Sequence, residues 1–148
     1  MSTDTKNKLV PRLRFPEFQN AGEWEDCTIN EIGEVVTGGT PSKNIEKFWN
    51  GEFVWVTAQD VRQKYIYDSF QKLSQKAKEN SRIIPKNSVL VTCIASIGLN
   101  AINKVECATN QQINSIICKS TIFFEFVYYS ICACLLYTSD AADDLLCV

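Results

Sequence analysis

Two short segments of the chain are apolar at nearly every position. In the first, EFVWVT at Glu52–Thr57, Phe53 and Trp55 fall on one face of an extended chain, and Val54 and Val56 fall on the other. The second, NSVLVTCIA at 87–95, is also apolar on both faces. Strands of this kind are typical of the interior of a sheet, so the pattern predicts two central strands.

Shorter apolar runs predict further strands around these two. They lie at Glu34–Thr37 and within residues 65–70, 100–105 and 113–119, which read YIYDSF, NAINKV and INSIICK. Each run is short and is bounded by turn-forming or polar residues, which favours a sheet of short strands.

Helix signals are fewer. We predict a short turn of helix at Ile29–Ile32 that ends at Gly33, and a short helix that Ser74 caps, that runs through Glu79 and that ends near Asn80. The segment STIFFEFVYYSICA predicts a C-terminal helix capped at Ser120, which is apolar nearly all round and therefore buried or awaiting a partner. Many short strands with few short helices predict a β-rich α+β fold.

The N-terminal part has a different pattern. Residues 1–10 are polar, and we expect them to be disordered. Pro11–Phe18 holds two prolines and alternating apolar residues, which favours an extended arm that packs on the domain. We expect one domain at residues 11–133, a length that can bury a single core.

The last fifteen residues, 134–148, follow the helical pattern without a stop signal. Within them, CLLYTSDAADD resembles the reading-frame translation of a sequencing adapter, so we expect an artefact tail; a genuine acidic tail is the alternative. The whole chain has 15 Lys and Arg and 17 Asp and Glu, and three of the Asp lie in this tail. Without it the balance is 15 against 14, or +1, which neither indicates nor excludes a nucleic-acid partner.

The residue types leave little room for catalysis. The chain has no histidine, no P-loop and no GxGxxG, which removes histidine-based catalysis and the common nucleotide-binding loops. The seven cysteines include no CxxC pair, so we expect reduced thiols and no zinc site. No apolar run is long enough for a membrane span, and the N-terminus has no secretory segment. We predict a binding protein with no catalytic residue, no metal and no cofactor.

Five motifs occur in a recognisable order. They are LVPRLRFPEF, EW followed by EIGEVVTGGTPS, FWNGEFVWVTAQDV, SVLVTCIASIG and ATNQQIN. Over roughly residues 9–131 they resemble the target recognition domain of the specificity (S) subunit of type I restriction-modification enzymes. GGTPS alone is a weak signal, and the resemblance depends on five motifs in order at plausible spacing.

The resemblance implies a function and partners. Each such domain reads one half of a split double-stranded DNA sequence, and long helices space two domains apart and dock methyltransferase (M) subunits. A third type of subunit (R) carries the translocase and the nuclease. This chain would be an N-terminal fragment whose C-terminal helix leads toward a missing spacer helix. It would be cytoplasmic, without a membrane partner, and non-catalytic, and would direct methylation and restriction by its partners.

The first candidate DNA contact lies in a loop of glycine, hydroxyl and lysine residues. Cations, hydroxyls and backbone N–H groups bind phosphates, and glycine offers free amides and a close backbone approach. The residues predicted to contact DNA are Gly38, Gly39, Thr40, Ser42, Lys43 and Lys47. A tight turn without a ligand is the alternative. We expect Trp49 and Trp55 to be core residues or loop anchors rather than base-stacking platforms.

The second candidate is the basic interval Asp60–Lys86, in which seven Lys and Arg outnumber three Asp and Glu. The residues predicted to contact DNA are Arg62, Lys64, Tyr65, Lys72, Lys76 and Arg82. A solvated surface is the alternative.

The third candidate is ATNQQIN, which holds amides of the kind that read adenine. Gln111 and Gln112 are predicted to contact DNA, and buried amides that satisfy the loop backbone are the alternative. A different class of function also stays open, a β-rich module that binds carbohydrate or protein through Trp49, Tyr65 and Tyr67.

Overall fold

The computed structural model describes residues 13–94 and 98–143, with side chains described up to residue 134. The strands are β1 (Gly33–Thr37), β2 (Trp49–Val56), β3 (Tyr65–Ile66), β4 (Gln71–Leu73), β5 (Val89–Thr92), β6 (Asn100–Asn103), β7 (Ala108–Thr109) and β8 (Ile113–Cys118). The helices are α1 (Ile29–Ile32), α2 (Gln75–Lys78) and α3 (Phe124–Asp143), with single 3-10 turns at Pro16–Phe18 and Glu46–Phe48. The predicted α+β class, with short helices and a C-terminal helix, is confirmed.

The strands form two sheets. The larger has the order β1-β8-β5-β6-β3, antiparallel except for the parallel pair β6 and β3. The smaller has the order β4-β2-β7, in which β2 runs antiparallel to β4 and parallel to β7. β5 and β2 are the middle strands of their sheets, as the apolar pattern on both faces predicted.

The main core lies between the two sheets. Its buried side chains are Val54, Val56, Val61, Ile66, Ile84, Leu90, Ala101, Cys107 and Ile113. The outer face of the smaller sheet packs with α2 through Trp55, Leu73 and Ala77. The outer face of the larger sheet packs with α3 through Val89, Ile102 and Val127. This order of layers explains why the middle strands are apolar on both faces.

The two short predicted helices form where the capping signals place them. The Ser74 Oγ accepts a hydrogen bond from the Ala77 N–H at 3.3 Å, at the start of α2. At the start of α1, the Glu31 carboxylate accepts from the Thr28 N–H at 2.6 Å, and Gly33 follows the helix. These contacts satisfy N–H groups that a helix start leaves without partners.

The C-terminal helix begins later than predicted. α3 starts at Phe124 rather than after Ser120, because the chain first makes a turn in which the Ile122 N–H donates to the Lys119 carbonyl at 2.9 Å. The turn lets Ile122 pack against the cluster under α3. This tertiary contact overrides the local capping signal of Ser120.

The N-terminal arm is only partly as predicted. Pro16–Phe18 forms a 3-10 turn, and Leu13 is 92% exposed, so the arm does not pack its apolar side chains on the sheets. Arg14 instead folds the segment on itself by donating to the carbonyls of Phe18 at 3.1 Å and Gly22 at 2.7 Å. The predicted disordered segment 1–10 lies outside the described residues. The artefact expected at residues 134–148 stays a prediction.

Candidate functional site

The loop after β1 packs closely on the connection between β7 and β8. The Gly38 N–H donates to the Ile113 carbonyl at 3.1 Å, and the Gly39 N–H donates to the Thr109 carbonyl at 2.8 Å. A Cβ added at Gly38 would lie 2.2 Å from the Asn110 carbonyl oxygen, so the approach requires glycine. The expectation that these two amides are free for a phosphate is therefore wrong. The approaching segment is distant in the sequence, which gives no local sign of it.

Two tryptophans of β2 donate hydrogen bonds to backbone carbonyls of the same loop. The Trp55 indole N–H donates to the Gly39 carbonyl and that of Trp49 donates to the Ser42 carbonyl, each at 3.2 Å. Trp55 is only 3% exposed, and the two rings meet edge to face with centroids 5.1 Å apart. Buried indoles need a partner for the N–H, and here the loop carbonyls supply it. The predicted role of both residues as core residues or loop anchors is confirmed.

The ATNQQIN segment divides into structural and exposed residues. The Asn110 amide nitrogen donates to the Gln112 Oε1 at 2.9 Å, and the Asn110 Oδ1 accepts from the Gln112 N–H at 3.2 Å. The side chains of Asn110 and Gln112 therefore form hydrogen bonds within the loop, as the alternative of structural amides expects. Gln111 is exposed, and its Oε1 accepts from the Thr40 hydroxyl. This bond joins the first and third candidate segments.

A cleft of about 380 Å³ lies between this loop and the C-terminal end of α2. Its lining includes residues 38–41 on one side, Asn80 and Ser81 on the other, and Phe48 and Arg82. The Arg82 Nη1 donates to the Thr37 carbonyl at 2.6 Å, so the exposed guanidinium has a fixed position beside the loop. The structure thus brings Gly38, Gly39, Thr40, Arg82 and, through Thr40, Gln111 to one place.

Three predicted lysines lie on the elements that flank the cleft. Lys43 and Lys47 are exposed in the segment that leads to β2, and Lys76 is exposed on α2. Ser74 fastens these elements together, because its Oγ donates to the Lys47 carbonyl at 2.6 Å and its N–H donates to the Phe48 carbonyl at 2.9 Å. Ser42 contributes its carbonyl to the Trp49 indole.

Lys64 and Tyr65 lie elsewhere, where both contact α3. The Tyr65 hydroxyl donates to the Glu125 carboxylate at 2.6 Å, and the Lys64 Nζ lies 3.3 Å from the same carboxylate and 3.0 Å from the Tyr129 hydroxyl. Hydrogen bonds with Tyr129 and Tyr65, and then Glu125, raise the pKa of Lys64 well above its usual range. The hydrogen bond from Tyr65, and then Lys64, lowers the pKa of Glu125. These contacts fix α3 against the edge of the larger sheet.

Arg62 and Lys72 lie away from both of these places. The Arg62 guanidinium lies 5.5 Å from the centre of the Phe70 ring, and the Lys72 Nζ lies 3.0 Å from the Asp68 carboxylate. Hydrogen bonding from Lys72, and then from the Ser69 N–H, lowers the pKa of Asp68. The basic interval therefore does not form one patch, because β3 and β4 are edge strands of different sheets.

Sequence reasoning missed three contributors to the cleft. Asn80 and Ser81 line it from the end of α2, and the Thr37 carbonyl positions Arg82. Their residue types give no functional signal on their own, and the two sides of the cleft are some forty residues apart in the sequence. Only the pairing of β1 with β8, and the packing of α2 on β2, bring them together.

Among the described residues, no group of three or more His, Cys, Asp or Glu could hold a metal ion. No helix within residues 13–94 or 98–143 is long and apolar enough to cross a membrane.

Comparison with known proteins gives one consistent family. A family model described as the type I restriction modification DNA specificity domain matches residues 21–139. The specificity subunit of the type I restriction enzyme MjaIX from Methanocaldococcus jannaschii is 41% identical over 112 residues, which cover 72% of this chain and 26% of that protein. The HindI specificity subunit from Haemophilus influenzae is 32% identical over 111 residues, covering 73% and 24%. The chain thus spans about a quarter of these relatives.

Solved structures agree on the fold. The chain is similar to an HsdS subunit from Thermoanaerobacter tengcongensis, with a TM-score of 0.57, 13% identity, and coverage of 70% of this chain and 25% of that one. A chain from a structure concerned with assembly and conformational transition of the type I R-M system gives a TM-score of 0.58 at 12% identity, with the same coverage. At such identity the likeness shows the fold alone.

Proposed function

Because the chain belongs to the type I restriction modification DNA specificity domain family, we propose that it binds double-stranded DNA sequence-specifically as one recognition domain of a specificity subunit. The domain contributes binding and no catalysis. It directs methylation by M subunits and restriction by R subunits, which are its partners in the complete complex. We expect a protein with this function to act in the cytoplasm and to need no cofactor on this chain.

The convergence at the cleft is the observation that carries the proposal. The loop after β1, the end of α2 and β7 meet there, with Thr40 and Arg82 in the lining. Thr40 also binds Gln111, which follows β7 in the chain. Lys43 and Lys47 extend the same side. Cations, amides and hydroxyls on loops held by a rigid scaffold are the groups that contact phosphates and base edges.

The alternative module for carbohydrate or protein has less support. The Trp49 indole N–H is bound to the Ser42 carbonyl and the Tyr65 hydroxyl to Glu125, so two of its three aromatic residues are engaged inside the fold. Tyr67, at 60% exposure, is the remaining one. A single exposed ring is common on protein surfaces and does not define a binding platform.

Duplex binding by the purified chain tests the proposal. We expect the fluorescence anisotropy of a labelled duplex pool of randomised sequence to rise on titration, with an affinity that falls as KCl is raised. Repeated selection of bound duplexes from the pool should then enrich a common short sequence. The charge reversal Lys43→Glu should weaken binding more than Lys86→Glu, which changes an exposed cation that does not lie on the segment after β1. Lack of binding at low salt, or binding with no enriched sequence, would contradict the proposal.

A further inference from the structure

Arg82 and Gln111 are both fastened to the stretch from Thr37 to Thr40. Arg82 donates through Nη1 to the Thr37 carbonyl at 2.6 Å, and the Gln111 Oε1 accepts from the Thr40 hydroxyl. The Gly39 N–H, bonded to the Thr109 carbonyl at 2.8 Å, holds this stretch in place between them. The two side chains therefore keep a constant relation to the loop and to each other.

The groups that these side chains have left to offer are mainly hydrogen-bond donors. A guanidinium has five N–H donors and no acceptor, so Arg82 can offer only N–H groups to a ligand. One of the two acceptor lone pairs of the Gln111 oxygen is used by Thr40, and its amide nitrogen provides two donors. Base-specific contact with adenine uses the oxygen and the nitrogen of a glutamine together, which this arrangement does not favour.

Two neighbouring polar side chains at the cleft, those of Asn80 and Ser81, are bound within the protein. The Asn80 amide nitrogen donates to the Lys76 carbonyl at 2.9 Å, and the Ser81 hydroxyl donates to the Ala77 carbonyl at 2.7 Å. These two bonds serve the end of α2. Arg82 and Gln111 are exposed beside the loop, and each keeps further N–H donors for a ligand.

We propose that this place is a subsite for one phosphate of the DNA backbone, bound by Arg82 and Gln111 and therefore independent of the base sequence. A phosphate oxygen is a pure acceptor, which matches a pair of donor side chains, whereas base edges present donors and acceptors in a mixed pattern. The inference rests on the proposed function and deepens it. Other residues then contact the base edges, and the phosphate contact fixes the position of the domain along the duplex.

The salt dependence of binding separates the two side chains. For Arg82→Gln we expect the negative slope of log K against log[KCl] to become shallower by roughly 0.9, the value for one neutralised phosphate on duplex DNA. For Gln111→Leu we expect weaker binding with an unchanged slope, since an uncharged donor releases no counterion. For each variant, the loss of affinity should be the same, within error, on several labelled duplexes of unrelated sequence. Lys86→Gln is the matched control and should leave the slope unchanged.

Each outcome decides between the subsite and its alternatives. If the unchanged chain binds duplexes and Arg82→Gln leaves the slope unaltered, the subsite is refuted while the proposed function stands. If either variant loses affinity for one sequence only, the residue reads a base, and the phosphate assignment is refuted. If the unchanged chain binds no duplex at low salt, the proposed function fails and the subsite with it. Circular dichroism of the variants confirms that the fold is kept.

Discussion

At the scale of single residues, Gly38 and Gly39 differ although they are adjacent and chemically identical. A Cβ at Gly38 would lie 2.2 Å from the Asn110 carbonyl and from the Thr109 Oγ1, whereas a Cβ at Gly39 would meet nothing within 4 Å. Gly38 is thus required by the packing of two loops, and Gly39 is tolerant.

This contrast makes a matched pair of substitutions. We expect Gly38→Ala to lower the free energy of unfolding by about 1–3 kcal/mol, the usual range for an added methyl group in a packed region. Gly39→Ala should have an effect within about 0.5 kcal/mol, as at open surface positions. Urea unfolding followed by circular dichroism measures both. Equal effects of the two substitutions would show that the close approach of the loops is absent.

Cys107 is predicted to be chemically silent in the folded protein. It is buried in the core between the sheets, and burial raises the pKa of its thiol to about 12, whereas Cys93 is exposed. The thiolate is the reactive form, so native protein treated with iodoacetamide near pH 8 should be alkylated at Cys93 and protected at Cys107. Peptide mass spectrometry with and without denaturant checks this. Equal labelling of both residues in native protein would mean that the sheets separate readily.

At the scale of elements, the C-terminal helix is joined to the larger sheet by polar contacts as well as by packing. Tyr65 and Lys64 hold Glu125, while Val127 packs on Val89 and Ile102. The Lys64 Nζ also lies 4.5 Å from the centre of the Tyr129 ring. The helix therefore leaves the domain in a direction that one carboxylate helps to set.

The contribution of Glu125 should depend on pH. Its pKa is lowered in the folded state, so its stabilisation is present above the unfolded value near 4.5 and is lost as pH falls through the lower folded value. We expect Glu125→Gln to lower the melting temperature at pH 7 and the difference from the unchanged chain to shrink as the pH falls below the unfolded value. Glu106→Gln, which removes an exposed pair with Lys78, is the control and should change little. A difference in melting temperature that is constant with pH would exclude stabilisation by the ionised Glu125 carboxylate.

Local patterns were sufficient for most elements and failed where a distant contact decides. The apolar segments that became β2 and β5, and the Ser74 cap of α2, carry their information within a few residues. The start of α3 does not, because Ile122 packs on a cluster built from other strands. The two-residue strand β7 was also missed, since its pairing with β2 is set by neighbours rather than by its own residues.

At the scale of the whole molecule, the candidate site is a product of the topology. Motif order was enough to predict the family and the segments that carry DNA-contacting residue types. It could not show that Arg82 binds the loop after β1 while Lys64 binds α3. Those contacts depend on the fold, because β3 and β4 of the basic interval lie in different sheets. Nor could it show that the Gly38 and Gly39 amides are used internally.

Mapping of the DNA-binding surface by NMR tests the central claim most directly. Duplex DNA of mixed sequence would be added to the ¹⁵N-labelled chain, and amide shifts followed residue by residue. We predict shifts concentrated at Thr40, Lys43, Ser81, Arg82 and Gln111, with the amides of β6 and α3 unchanged. Shifts confined to α3 and the arm around Leu13, or no shifts at low salt, would contradict the claim that the cleft faces DNA.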